Sequence, residues 1–250
     1  MTLDEMLQNS ARQATVTDVT EHRPWPLPDG PWLMAQSWVD LAFLHWRVDA
    51  DILRRQLPES VELDTFDGSA WLGIVPFRIA DLRLRGLLPV PGLSGFPELN
   101  VRTFVTRDAT PGLWFFTLDA SSILAVEAAK RFFHLPYRRA RMSCERVGEF
   151  VHYESARTDA SFSGRYHADG AFFNAEPGTL EEFLVERYCF YTENGGRVYR
   201  CEIHHPPWEL QRGEAFIDLN TMALLPLPDE EPHVLVSRRQ DAVIWSPEEL

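Results

Sequence analysis

The run Leu113-Trp114-Phe115-Phe116-Thr117-Leu118 constrains the fold more than any other part of the chain. A strand that is apolar on both faces has to lie in a sheet covered on both sides, because either face turned to water exposes aromatic surface. The segment before it alternates with period two from Pro97 to Val105. Glu98, Asn100, Arg102 and Phe104 therefore share one face, and Leu99, Val101, Thr103 and Val105 the other. Thr110-Pro111-Gly112 reads as the turn joining these two strands. A helix is expected from Ser121 or Ser122, either hydroxyl serving as its cap. On it Ile123, Val126, Lys130 and Phe133 fall at helical spacing on one side, and Leu135-Pro136-Tyr137 breaks it abruptly.

The remaining signals are mostly those of antiparallel strands. Asp67-Gly68 and Asn194-Gly195 mark hairpin turns, in VELDTF–DG–SAWLGIVPF and CFYTE–NGG–RVYRCEIHH. Trp32 to Trp46 reads as a strand with Val39, Leu41, Phe43 and His45 on one face, and Ala140–Val147 and Glu149–Tyr166 as two long strands. Asp49 or Asp51 can cap a brief helix stopped by Pro58. Thr179-Leu180-Glu181-Glu182 is a capping box opening another helix. Sixteen Phe, eight Trp and eighteen Pro suit many short strands joined by turns better than a helix bundle. The expected organisation is an N-terminal arm over 1–31, partly flexible, then one domain over 32–250. That domain is α+β and β-rich: a curved antiparallel sheet closing into a barrel or cone with a few flanking helices. The Gly-, Pro- and Leu-rich segment at 86–97 is a loop with exposed apolar residues, either a lid over a pocket or packing against the rim.

Charge narrows the partners. With 24 basic and 37 acidic residues the net charge is −13, which argues against non-specific binding to nucleic acid and against docking on an anionic membrane surface. No apolar run approaches the ~18 residues needed to span a bilayer, and no basic-then-apolar leader opens the chain. Cys144, Cys189 and Cys201 are odd in number and lack CxxC spacing, which fits a reducing cytoplasm.

Four groups of residues invite chemistry. Lys130, the only lysine in the chain, is either a buried ammonium usable as nucleophile or anion anchor, or half of an i,i+3 ion pair with Glu127. Glu98, Asn100 and Arg102 line a cavity or a wet outer face; the doubly apolar strand beside them favours the cavity, with Arg102 gripping an anion and Glu98 as acid or base. Tyr137, fixed by Pro136, either donates to a bound carbonyl or is a core tyrosine with a satisfied hydroxyl. His204 and His205 point to opposite faces and cannot easily share an ion, and a His45/His205/Glu98 site has no diagnostic spacing, so no metal is expected. No Gly-rich phosphate loop, GxSxG elbow or HExxH sequence occurs, and no cofactor is assigned.

The helix bearing Lys130 and the Leu135-Pro136-Tyr137-Arg138 that follows it resemble the acetoacetate decarboxylase-like superfamily, in which a Gly-Arg-Glu helix leads into Phe-Pro-Lys-Lys. Setting Pro136 on that proline puts Lys130 at the arginine, Tyr137 at the Schiff-base lysine and Arg138 at the neighbouring lysine that lowers its pKa. Pro97-Glu98-Leu99-Asn100 lies near the Tyr-Asn-Glu strand that supplies an acidic residue to the cavity. A tyrosine forms no imine, so the resemblance implies the fold without Schiff-base decarboxylation at that position. Seven segments, FLHW (43–46), DGSAWLGIVPF (67–77), FPELNVRTFV (96–105), PGLWFFTLDA (111–120), LPYRRARM (135–142), LVERY (184–188) and HHPPWEL (204–210), resemble the YqjF-like family in order. That bacterial domain-of-unknown-function family implies the same barrel and no particular reaction.

Three functions fit these observations. The first is binding of a small carboxylate or carbonyl compound in an aromatic-lined interior, with Arg102 and Lys130 as anion anchors, Glu98 nearby, and Asn100, Arg138, His45, His205 and Trp71 around the ligand. The second is acid–base chemistry on such a compound by Glu98 and Tyr137, and the third a protein-interaction module presenting the 86–97 loop. A homodimer is compatible with a bacterial barrel of this size.

Overall fold

The computed structural model describes every residue except Met1, Pro91 and Leu93. Seven long strands form a closed ring: β1 (Met34–Val48), β3 (Ala70–Leu84), β4 (Phe96–Arg107), β5 (Thr110–Ala120), β10 (Cys189–Asn194), β11 (Arg197–His204) and β13 (His233–Ile244), which returns to β1. Two seams are short. β5 meets β10 in parallel through Phe190↔Leu113 and Tyr191↔Trp114, and β11 meets β13 through Ile203↔Ile244 and His204↔Val243. At the first seam Gly112 is required by close approach, since a Cβ there would lie 2.8 Å from Cys189 Sγ and from a Tyr191 ring carbon. The ring is thus an uneven, cone-like barrel.

From β13 the sheet continues outward as a wing of β12 (Leu210–Asn220), β9 (Ser161–Phe173), β8 (Phe150–Ala156) and β7 (Arg141–Val147). It folds back over the barrel's outer surface, where Tyr153, Phe162 and Tyr166 pack with Leu99 and Val101 of β4. This explains why the alternation in β4 does not divide wet from dry: the Leu99 face is buried under the wing and the Glu98 face inside the ring. Short strands β2 (Glu62–Leu63), β6 (Tyr137–Arg139) and β14 (Glu248–Glu249) pair with β4, β5 and β11.

Helices α1 (Leu3–Ala14), α2 (Ala50–Arg54), α3 (Ile123–Phe133) and α4 (Leu180–Val185) flank the ring. Their caps follow the sequence: Asp49, Ser122 and Thr179 accept from Ile52, Ala125 and Glu182 N–H, and Thr2 with Glu5 makes a full capping box on α1. α1 is docked by its last turn. The fully buried Gln13 amide donates to Ser37 Oγ and the Asp81 carbonyl at 3.1 Å each and accepts from Arg83 Nε at 2.7 Å. Further along the arm, the buried Arg23 pairs with Glu202 and donates to the Ile203 carbonyl.

Several local expectations are corrected. The β4–β5 turn is Asp108-Ala109, both at positive φ, and not Thr110-Pro111-Gly112, which is already strand. Around Asp67-Gly68 only a Phe66↔Ser69 bridge forms, because Glu62–Leu63 pairs with β4 rather than with β3. The segment expected as one strand over 149–166 is two, broken at 157–160. On β1, Val39 does not share the inner face with Leu41 and Phe43. Asp40, at φ +54°, inserts a bulge that shifts the phase, so Trp38 and Gln36 point inward instead. Asp81 does the same in β3, changing the inward series from Ile79 to Leu82.

Candidate functional site

The ring encloses a cavity of about 380 Å³. Its wall is apolar and heavily aromatic, with Trp38, Phe43, Phe77, Phe115 and Trp208 among its residues. α3 roofs part of it with Ala125, Ala128 and Ala129, whose small side chains leave the space open. Among the described residues, ionisable groups reach this space from β4 and β6: Glu98 and Arg102, accompanied by Asn100 between them, and Tyr137.

Glu98 is 4% exposed, and the Tyr137 hydroxyl donates to its Oε2 at 2.8 Å. Burial raises the carboxyl from its ordinary value to about 8, and the tyrosine hydrogen bond opposes that rise without cancelling it. Glu98 is therefore a neutral acid at pH 7. Tyr137 stays a phenol, because burial first and the neighbouring Glu98 next push its ionisation well up. Tyr153 from the wing fixes the backbone below by donating to the Glu98 carbonyl at 2.6 Å.

Arg102 is 7% exposed and has no carboxylate partner among the described residues. Its Nη2 donates to the Leu184 carbonyl at 3.2 Å, its guanidinium carbon lies 5.2 Å from the Phe43 ring centre, and its Nε is unpartnered. Arg187 sits nearby and takes Asp64 for itself at 2.7 Å. Burial and then Arg187 lower Arg102 to about 9, so it remains a cation at neutral pH. The buried Asn100 likewise leaves its Oδ1 unpartnered.

The other sequence candidates are placed apart. Lys130 is a correction: its side chain is 45% exposed and lies 3.7 Å from Glu127, on the outer side of α3. The helix buries Val126 and Phe133 only, leaving Ile123 exposed as well, because the cavity side is taken by the alanines. Arg138 is also corrected; alternation along β6 turns it outward while Tyr137 goes in. Trp71 is a core residue of β3 outside the cavity wall, under the Arg47 guanidinium. His205 stacks on Tyr188 and touches Trp208 and Trp38 from behind, with Nδ1 near the Pro206 carbonyl. His204 faces the arm, its Nε2 against the carbonyls of Val16 and Val19. His45 is wholly buried beyond the cavity floor, next to Phe43 and Phe104. No group of three or more metal-binding side chains forms among the described residues. Of the segment expected as a loop over 86–97, Phe96 and Pro97 already belong to β4; the rest carries exposed Leu87, Leu88 and Val90 and is tied by Ser94 to Val90 and Leu82. Its Pro91 and Leu93 lie outside the described residues.

Sequence reasoning missed Gln36 and Trp38, hidden by the Asp40 bulge, and the alanine face of α3, whose signal was the small residues at 125, 128 and 129. It also missed Trp208, which follows two prolines with no periodicity to orient it.

The DUF2071 family, uncharacterized conserved proteins, matches residues 35–241. The uncharacterized protein YqjF of Bacillus subtilis is 42% identical over 236 residues, spanning 92% of this chain and 98% of that protein. Among solved structures, the enduracididine biosynthesis enzyme MppR superposes with a TM-score of 0.64 at 14% identity, over 90% of this chain and 89% of that one. An acetoacetate decarboxylase-like enzyme from Sphingomonas wittichii RW1 gives 0.62 at 14% identity, over 92% and 97%. At such identities these two establish a shared acetoacetate decarboxylase-like fold. No helix among the described residues is long and apolar enough to cross a membrane.

Proposed function

Because the chain belongs to the DUF2071 family, and its barrel surrounds a buried cation with no carboxylate partner among the described residues, we propose that it binds small apolar acids in the barrel interior. The observation that carries this reading is Arg102. A buried ion without a counterion costs several kcal/mol, and removing that cost takes an anion delivered from outside. The apolar wall supplies affinity for the body of such a molecule, and Arg102 selects its charge. The three free cysteines fit a cytoplasmic setting.

Schiff-base chemistry is not part of this function. The chain's one lysine lies on the outside of α3, and the position the superfamily gives its imine lysine is held by Tyr137, an oxygen acid. A second reading, acid–base catalysis on the bound acid, is favoured by one observation: Glu98 is kept protonated near neutrality beside a positioned phenol. A thermal-shift screen of small carboxylic acids, repeated on Arg102→Ala, tests the binding reading. Acids should raise Tm in the wild type and not in the variant. Equal shifts in both proteins would remove Arg102 from the function.

A further inference from the structure

Beyond the cavity floor, against the stem of the lining residue Arg102, lies a second unpaired donor. In register, His45 of β1 is opposite Gly73 of β3, and Gly73 is opposite Arg102 of β4. All three are on the inner face. With no side chain at Gly73, the His45 ring and the Arg102 stem lie side by side over its backbone: a Cβ there would meet His45 Nε2 at 2.8 Å and Arg102 Cγ at 3.3 Å. Both residues also rest on Phe43, the imidazole nearly parallel to it at 6.0 Å and the guanidinium at 5.2 Å. His45 is 0% exposed, yet neither of its ring nitrogens has a partner.

A neutral imidazole always carries one N–H. In either tautomer a fully buried donor is left without an acceptor, beside an Arg102 Nε–H in the same state. Each unmet donor of this kind is destabilising. A core position with no other duty is filled at lower cost by phenylalanine, as at Phe43 and Phe104 on either side. The neighbouring carboxylates are engaged elsewhere, Asp64 with Arg187 and Glu98 with Tyr137. Two residues that lie side by side over a glycine, each with a buried donor lacking any acceptor, form half of an anion site.

Resting on the binding reading above, we propose that His45 is the second arm of the anion seat: the ligand's carboxylate is shared between Arg102 and the His45 N–H, and Gly73 is the residue that lets the two arms come together. The ligand class is thereby narrowed to a planar, two-oxygen acid group on an apolar body. An amide or alcohol of the same shape answers neither donor as well. His45 is neutral, since burial first, then Arg102 and His233, disfavour its cation. It therefore enters the complex as a neutral donor.

The test uses octanoate, octanamide and the full-length chain. Binding by calorimetry is compared for wild type, His45→Phe, His45→Gln and Arg102→Gln, with ¹⁵N-histidine NMR of the wild type. Octanoate should shift the His45 ring nitrogens toward a hydrogen-bonded N–H. His45→Phe should weaken octanoate about tenfold or more while leaving octanamide unchanged, and His45→Gln, which keeps an N–H, should recover part of the loss. If octanoate binds, Arg102→Gln abolishes it, and His45→Phe binds as wild type, His45 is no part of the seat and the binding reading alone survives. Unmoved His45 ring signals under saturating octanoate would exclude His45 from the seat equally, even should His45→Phe fail to fold. A wild type that takes up no octanoate overturns both.

Discussion

The Tyr137 hydroxyl donates to Glu98 Oε2 at 2.8 Å, joining residues 39 positions apart inside an apolar cavity. One is a phenol that opens β6 directly after Pro136, and the other is a carboxyl raised by burial to about 8. The bond favours the ionised carboxylate and so moderates the effect of burial. Tyr137→Phe should therefore raise the Glu98 pKa above its present value. Titration of the ¹³C-labelled Glu98 carboxyl by NMR checks this; an unchanged or lower value would mean that the phenol does not act on it.

Glu98 also leaves a signature in stability. Its folded pKa lies above that of the unfolded chain, so the folded protein holds the proton longer. The contribution is intact below about pH 4.5 and is lost progressively as pH rises to about 8, because the unfolded state then binds fewer protons. Glu98→Gln should flatten the fall in urea-unfolding free energy over that window, by on the order of a few kcal/mol. The buried histidines act in the opposite sense. His204 and His205, both lowered to about 4, make stability rise between about pH 4 and 6.5. The Glu98 effect is read as a difference between two proteins that share them.

Lys130 should be silent. Lys130→Met leaves the cavity wall untouched and removes only an exposed pair worth roughly 0.2–0.5 kcal/mol. Borohydride treatment with keto acids should trap no adduct within the barrel, checked by mass spectrometry of the peptide carrying Tyr137. A reduced imine on any cavity peptide would contradict the account.

Arg102→Met should not destabilise the unliganded protein. Replacing an uncompensated buried ion by an apolar chain of similar reach is commonly neutral or stabilising. Chemical denaturation checks it, and a loss above about 2 kcal/mol would mean that the Leu184 carbonyl and Phe43 already satisfy the guanidinium.

Much of this architecture was legible because period-two patterning survives wherever one strand face is sealed. Glu98, Asn100, Arg102 and Phe104 do share the interior, and the Leu113–Leu118 run is covered on both sides: Leu113, Phe115 and Leu118 line the cavity, while Phe116 packs with the wing's cluster and Trp114 with Val61 and Val105. Seven ordered segments identified the family. Bulges and helix margins were not legible. A single αL aspartate at Asp40 turned Val39 out and Trp38 in, and nothing local distinguishes it from the aspartates that cap or turn. On α3 the assumption that large apolar residues face inward failed. The helix covers a space kept open by alanines, so Ile123 and Lys130 were free to face solvent.

The central claim is that an acid's charge meets Arg102 inside the barrel, and a crystal structure of the protein with octanoate tests it most directly. The account predicts the carboxylate within about 3 Å of the Arg102 guanidinium, with the alkyl chain against Trp38 and Phe77. An octanoate bound with its carboxylate at the mouth and its tail on Arg102, or a cavity that stays without it at saturating concentration, would contradict it.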